Sequence, residues 1–236
     1  IELARPLFPL SAEIAVLGGA SPFGLVYGAF RLQRAHSIDN VVTKLGTARS
    51  LIPCPVVLDL DGDGVETTSV QQATFFDHNA DGFAERTGWV GRDDGLLVRD
   101  RNGNGSIDSG RELFGNHTLR TTGVEAAHGY EALADLDSNA DGKVDSGDAA
   151  FGQLRVWRDA DENGISAPGE LQTLGSLGIR SVSVSFSESS ATDAQENALR
   201  QVSTFTRADG SQGVTTDVWF RSAPADTIAA AWLPVP

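Results

Sequence analysis

A pattern of alternating oxygen donors, Asp-x-[Asp/Asn]-x-[Asp/Asn]-Gly, occurs five times in this chain, starting at Asp59, Asp77, Asp100, Asp137 and Asp159. Carboxylates at alternate positions repel one another unless something positive sits between them. A loop that wraps a hard cation takes oxygens from positions 1, 3 and 5, turns at a Gly in position 6, gives its backbone carbonyl at position 7, and is closed by a carboxylate near position 12. Six to eight oxygens at variable distances suit Ca2+ better than Mg2+.

The fourth copy, DSNADGKVDSGD, meets every requirement, with Asp137, Asn139, Asp141, the Lys143 carbonyl, Asp145 and Asp148. The fifth, DADENGISAPGE, offers Asp159, Asp161, Asn163, the Ile165 carbonyl and Glu170. The third supplies Asp100, Asn102, Asn104, the Ser106 carbonyl and Asp108, but has Arg111 at position 12, so Glu112 is expected to close it. The first (Asp59, Asp61, Asp63, Val65 carbonyl) and second (Asp77, Asn79, Asp81, Phe83 carbonyl) have Val70 and Gly88 at position 12. Glu66 and Glu85 come too early for that pattern. These two copies are read as separate sites, as one shared cluster, or as plain Asp-Gly turns between strands.

The elements that must hold these loops differ along the chain. VVLDL, ATFFD and GLLVRD read as strands, so the early loops are expected on strand ends or hairpins. Around the later loops, apolar residues recur at helical spacing: Tyr130, Leu133 and Leu136; Phe151, Leu154 and Trp157; Leu171, Leu174 and Leu177. That predicts an EF-hand-like helix-loop-helix pair in which one helix serves both loops. VSVSFSESS and QVSTFTRADGSQGVTTDVWF read as strands, the second a hairpin turning at Asp209-Gly210. The expected fold is α+β, with strand-borne calcium loops in the first half, the EF-hand-like pair in the second, and a C-terminal β-hairpin.

Composition narrows the function. A formal charge of -14 over 236 residues argues against a nucleic-acid partner, which needs clustered Lys and Arg. Cys54 is the only cysteine, so neither an internal disulfide nor a cysteine-ligated zinc site is available. His36, His78, His117 and His128 lack zinc spacing, and His78, at position 2 of its loop, should point away from an ion. No Ser-His-Asp order, P-loop or dinucleotide fingerprint stands out, and no catalysis is expected. Residues 1–50 read as a Gly-rich apolar segment and linker, and 51–236 as the calcium-binding module. The uncharged stretch 14–30 falls slightly short of a spanning helix, and packing is favoured over membrane contact. With no basic region ahead of an apolar one at its start, the chain reads as a fragment of a longer protein.

Together, CPVVLDLDGDGVETTS, the run from Phe76 to Thr118 and the run from Gly129 to Leu171 resemble the calcium-binding self-processing module of FrpC-type iron-regulated RTX proteins. The likeness is close over residues 53–180. It implies a module that is disordered without calcium and folds outside the cell after type I secretion, in contact with the rest of its parent polypeptide. Self-processing members cleave an Asp-Pro bond just before the strand matching VVLDLDGDG. Here that position is Cys54-Pro55, and no Asp-Pro occurs in the chain. An Asp carboxylate can close a five-membered anhydride on its own carbonyl, whereas a Cys thiol would have to close a strained four-membered ring. The readings carried forward are a non-catalytic calcium module, an autoprocessing domain acting at another bond, and a membrane-active segment.

Cys54→Asp is expected to create calcium-dependent cleavage before Pro55, since orienting the groups alone lowers such barriers by about 7 kcal/mol. Mass spectrometry should find a fragment beginning at Pro55 with calcium and none with chelator; an intact variant at saturating calcium contradicts the expectation.

Overall fold

The computed structural model describes residues 53–233. The expectations for residues 1–50, including membrane contact by 14–30, fall outside the described residues. No helix among the described residues is long and apolar enough to cross a membrane.

The described chain is built mainly of strands. They are β1 (Val56–Leu58), β2 (Thr67–Thr68), β3 (Thr74–Phe76), β4 (Phe83–Thr87), β5 (Trp89–Val90), β6 (Gly95–Val98) and β7 (Lys143–Asp145). There follow β8 (Arg155–Trp157), β9 (Leu171–Thr173), β10 (Ile179–Ser183), β11 (Ser187–Thr192), β12 (Ala198–Arg207), β13 (Gln212–Trp219) and β14 (Ser222–Ala229). Nine form one sheet in the order β7-β10-β12-β13-β1-β6-β8-β9, with β11 also pairing with β12. The strands β14-β4-β3 form a second sheet and β2-β5 a third.

Unbroken apolar runs mark the middle of the large sheet because both of its faces are covered there. Val56, Leu58, Leu97 and Val156 point into one core with Tyr130, Leu133 and Phe205. Their neighbours Val57, Leu96, Val98 and Trp157 point into the other, with Phe76, Trp89 and Phe220. This is the two-residue alternation of a pleated strand. The second core is largely aromatic: the Trp89 ring lies 5.3 Å from Phe76, 5.5 Å from Trp157 and 5.9 Å from Phe220. β12 and β13 pair antiparallel from Ala198↔Trp219 to Thr206↔Gln212 and turn at Asp209-Gly210, where Gly210 has φ +88°.

The expected helix-loop-helix pair is absent, and the α+β reading is overturned. Among the described residues one α-helix is found, α1 (Gly129–Ala134), six residues long and capped by His128, whose Nδ1 accepts the Glu131 N–H. The Asp137 loop follows α1 but leaves through strand β7. The Asp159 loop joins two antiparallel strands, with Trp157 opposite Leu171. The ten-residue stretch between the two loops has Gly152 at its middle. It makes a short 3-10 turn at Phe151–Gln153 and then pairs as β8 with β6. A few residues gain little as an isolated helix, while Val156 and Trp157 each fill a different core as a strand. Pro168 and Gly169 near the end of the Asp159 loop, and Gly175 and Gly178 after it, interrupt any helical run, and Gly178 turns at φ +69°.

One glycine contact is critical. The Gly110 amide donates to the Asp77 carbonyl at 2.9 Å, and a Cβ at residue 110 would lie 1.9 Å from the His78 carbonyl oxygen. Gly110→Ala should cost about 2–3 kcal/mol of stability, whereas Gly152→Ala, which meets nothing within 4 Å, should stay within about 0.5 kcal/mol. Denaturant titration of both variants in calcium checks this; equal midpoints would show that segment 110 yields freely.

Candidate metal centre

All five repeats adopt one backbone form. Position 4 is left-handed in each: Gly62 (φ +96°), Ala80 (+57°), Gly103 (+75°), Ala140 (+60°) and Glu162 (+59°). Position 6 is left-handed too, and always Gly: Gly64, Gly82, Gly105, Gly142 and Gly164. Three non-glycine residues thus sit where a Cβ is disfavoured. In the last four loops this shape aims the position-6 N–H at the first Asp: Gly82 at Asp77 (2.8 Å), Gly105 at Asp100 (2.9 Å), Gly142 at Asp137 (2.9 Å) and Gly164 at Asp159 (2.7 Å). The position-7 N–H donates to the position-5 side chain: Phe83 to Asp81, Ser106 to Asn104, Lys143 to Asp141 and Ile165 to Asn163.

A second rule unites the loops. In every one, a carboxylate from farther along the chain accepts the position-2 N–H. Asp148 takes Ser138 and Asp145, Glu170 takes Ala160 and Ala167, and Glu112 takes Arg101 and Asp108. Thus Glu112, at position 13, stands in its loop as Asp148 and Glu170 stand in theirs at position 12. In the second loop Glu85 accepts from His78 N–H (3.3 Å) and from Asn79 Nδ2 (3.3 Å). In the first, Asp94 accepts from Leu60 (3.1 Å) and Glu66 (2.8 Å).

Glu66, Glu85 and Asp94 are the acids that loop spacing fails to select. Glu85 lies on β4 opposite Phe76, because the Asp77 loop caps the β3-β4 hairpin. Asp94 precedes β6, whose Gly95 pairs with Leu58, so the register carries it beside Asp59. The signal in the sequence is Asp93-Asp94-Gly95 at the head of an apolar strand, and it becomes readable only once β1 and β6 are paired.

Among the described residues, three acidic groupings have carboxylate oxygens within 4.8 Å of one another: Asp59, Asp61 and Asp63; Asp61, Glu66 and Asp94; and Asp159, Asp161 and Glu170. The first two share Asp61, so five acids meet at the first loop. Burial, followed by a hydrogen bond with Asp63, pushes Glu66 up to about 8. Burial also pushes Glu85 up to about 7, and Asp94 and Asp159 to about 6. By contrast the Asp145 N–H, with the Ser138 hydroxyl and N–H, holds Asp148 below the usual carboxylate range. Buried Glu66 Oε2 and Asn79 Oδ1 have no hydrogen-bond partner among the described residues. Asn79 Oδ1 can only accept, and an unpaired acceptor among acids fits a cation, while an all-oxygen set fits a hard one.

The second, third and fifth loops are tied together. Gly110, behind the Asp100 loop, holds the Asp77 carbonyl. The Ile107 N–H donates to Ser166 Oγ at 2.7 Å, and Thr74 Oγ1 donates to the Glu162 carbonyl at 2.8 Å. Trp89 Nε1 donates to Asp159 Oδ2 at 2.7 Å, joining the aromatic core to the fifth loop. His78 is a core residue. Its Nε2 lies 3.2 Å from Thr87 Oγ1, and burial pushes it down to about 3, so it is neutral.

Cys54 is buried ahead of β1. Its thiol interacts with the Asp217 carboxyl and the backbone N–H groups of Asn116 and Gly129. Burial and the Asp217 charge push the thiol well above its ordinary range, and burial pushes Asp217 up to about 8. The chain crosses so closely that a Cβ on Gly115 would come within 2.8 Å of the Cys54 carbonyl oxygen.

Fold and site define a β-sheet module with five acidic loops of one backbone form, and at the first and fifth of these the acids gather closely enough that they could hold a metal ion. Over residues 56–221 the chain matches the SPM domain, and it belongs to that family. It is 47% identical over 166 residues to the iron-regulated protein FrpA of Neisseria meningitidis serogroup C, a match covering 70% of this chain and 15% of that protein. The chain therefore spans only a small part of the relative it matches.

Asp94→Asn, outside all five repeats, is expected to weaken calcium binding at one site by about tenfold or more, as is Glu170→Gln at another. Titration calorimetry against the unaltered chain checks both; an unchanged Asp94→Asn isotherm would remove that residue from the first site.

Proposed function

We propose that this chain is a calcium-binding module of a larger secreted, RTX-type bacterial protein, folding as it meets calcium outside the cell and having no catalytic activity of its own. The observation that carries this reading is the common construction of the five loops, each closed by a carboxylate on its position-2 N–H. Asp59, Asp61, Asp63, Glu66 and Asp94 would hold calcium at the first loop, and Asp77, Asn79, Asp81 and Glu85 at the second. Glu112, Asp148 and Glu170 would close the other three. The ion supplies positive charge where buried carboxylates otherwise repel.

Membership of the SPM family and likeness to part of a much longer iron-regulated protein support the role of a module within a larger polypeptide. Export by type I secretion, in which the chain stays unfolded until it reaches millimolar calcium, agrees with a fold that needs cations at so many points. Cys54 in place of the scissile Asp accounts for the absence of self-cleavage in this reading.

Each ion that binds only the folded state adds about 4 kcal/mol at a thousandfold excess over its dissociation constant. Circular dichroism and melting in calcium and in chelator should give a folded, cooperative transition in the first and a partly disordered chain in the second. Superimposable curves would overturn the proposal.

A further inference from the structure

Beside the Asp100 loop, residues from 99 to 101, 111 to 114 and 118 to 121 and the end of α1 line a cavity of about 50 Å³, with the loop's closing acid Glu112 among them. A single water needs roughly 10–15 Å³ by the same measure, so the space admits a group of several heavy atoms. Phe114 and Leu136 give it apolar walls, and Arg99, Arg101 and Arg111 line it as well.

This convergence of cations is unusual in a chain of charge -14 with only 18 basic residues. Arg111 is occupied: it donates to the His117 carbonyl and pairs with Glu125 at 3.0 Å. Arg101 donates one Nη to the Leu119 carbonyl at 3.0 Å and has no carboxylate partner among the described residues. The Arg99 guanidinium has no ion pair or hydrogen bond among the described residues, and its Nε is buried without a partner. The acids at the rim are already committed. Glu112 accepts the Arg101 and Asp108 N–H groups, and Asp135 is held by Arg120 and Thr121. Burial first, and then the charges of Arg99 and Arg111, lower the pKa of Arg101. The cavity is thus lined by three guanidiniums against two carboxylates, and although Glu112 acts on Arg101 electrostatically, neither Arg99 nor Arg101 has an ion pair among the described residues.

We propose that this cavity is an oxyanion-binding site, in which the Arg99 and Arg101 guanidiniums clamp a carboxylate or a tetrahedral oxyanion against the Phe114 wall. The planar fork of Arg presents paired N–H groups that match both anions. The volume limits the ligand to a small free anion or the acidic tip of a larger molecule. The site takes the opposite charge to the acidic loops, and it adjoins the Asp100 loop through Arg101 and Glu112.

The test uses the calcium-loaded chain, titrated with sodium acetate or sodium sulfate against sodium chloride at matched ionic strength, with the arginine Nε–H resonances followed by NMR. Saturable shifts at Arg99 and Arg101 support the proposal: with acetate alone the ligand is a carboxylate, with sulfate alone a tetrahedral oxyanion. Arg99→Gln should weaken that binding by about tenfold or more, while Arg180→Gln, on the exposed face of β10, should leave it unchanged. Should Arg99→Gln not fold, crystals of the unaltered chain grown with sodium selenate decide, because selenium in the cavity gives an anomalous peak between the two guanidiniums. Shifts with both anions no larger than with chloride, or selenate crystals without that peak, overturn the proposal.

Discussion

Carboxylates crowded into a small volume repel, and the architecture of this chain is organised around that repulsion. Five acids gather at the first loop alone, and burial makes two of them, Glu66 and Asp94, retain the proton well above the ordinary range. Backbone N–H groups offset part of the cost, since each loop turns its amides inward on its first Asp and gives its position-2 amide to the closing acid. Peptide dipoles stabilise the charge without neutralising it. What remains is a demand for positive charge, which a bound cation would meet.

The same amides join chemistry to packing. Asp159 accepts from Gly164 and from the indole of Trp89, so a loop residue and the centre of the aromatic core share one carboxylate. Ser166, Gly110 and Thr74 then bind three loops to one another. One of these ties is backbone to backbone and two use a side-chain hydroxyl, so the loops border the cores as one connected set.

Much of this arrangement was legible in the order of residues. The repeats mark the loops, Glu112 stands one place beyond the expected closing position, and the Asp209-Gly210 turn separates two strand-like runs. The elements flanking the later loops were misread because a spacing of three, as in Phe151, Leu154 and Trp157, serves a helix face. The same residues can also be divided between a turn and a strand whose alternate side chains enter two cores. Burial on both sides of the sheet decides between these, and it is a property of the assembled fold. Asp94 was hidden for a related reason: its partners lie on β1 and its loop, and only antiparallel register brings it there.

β1 lies between β6 and β13, with Val56 opposite Asp217. The first strand of the described chain is thus completed by nearly the last, and the buried contact between Cys54 and Asp217 closes the same junction. Contacts between such distant residues form late and slowly, because a long loop must be closed before they contribute. A chain that emerges gradually through a narrow opening, from either end, cannot assemble the middle of its sheet until both ends are out. The topology therefore defers completion of the large sheet until the segments around Val56 and Asp217 are both available to pair.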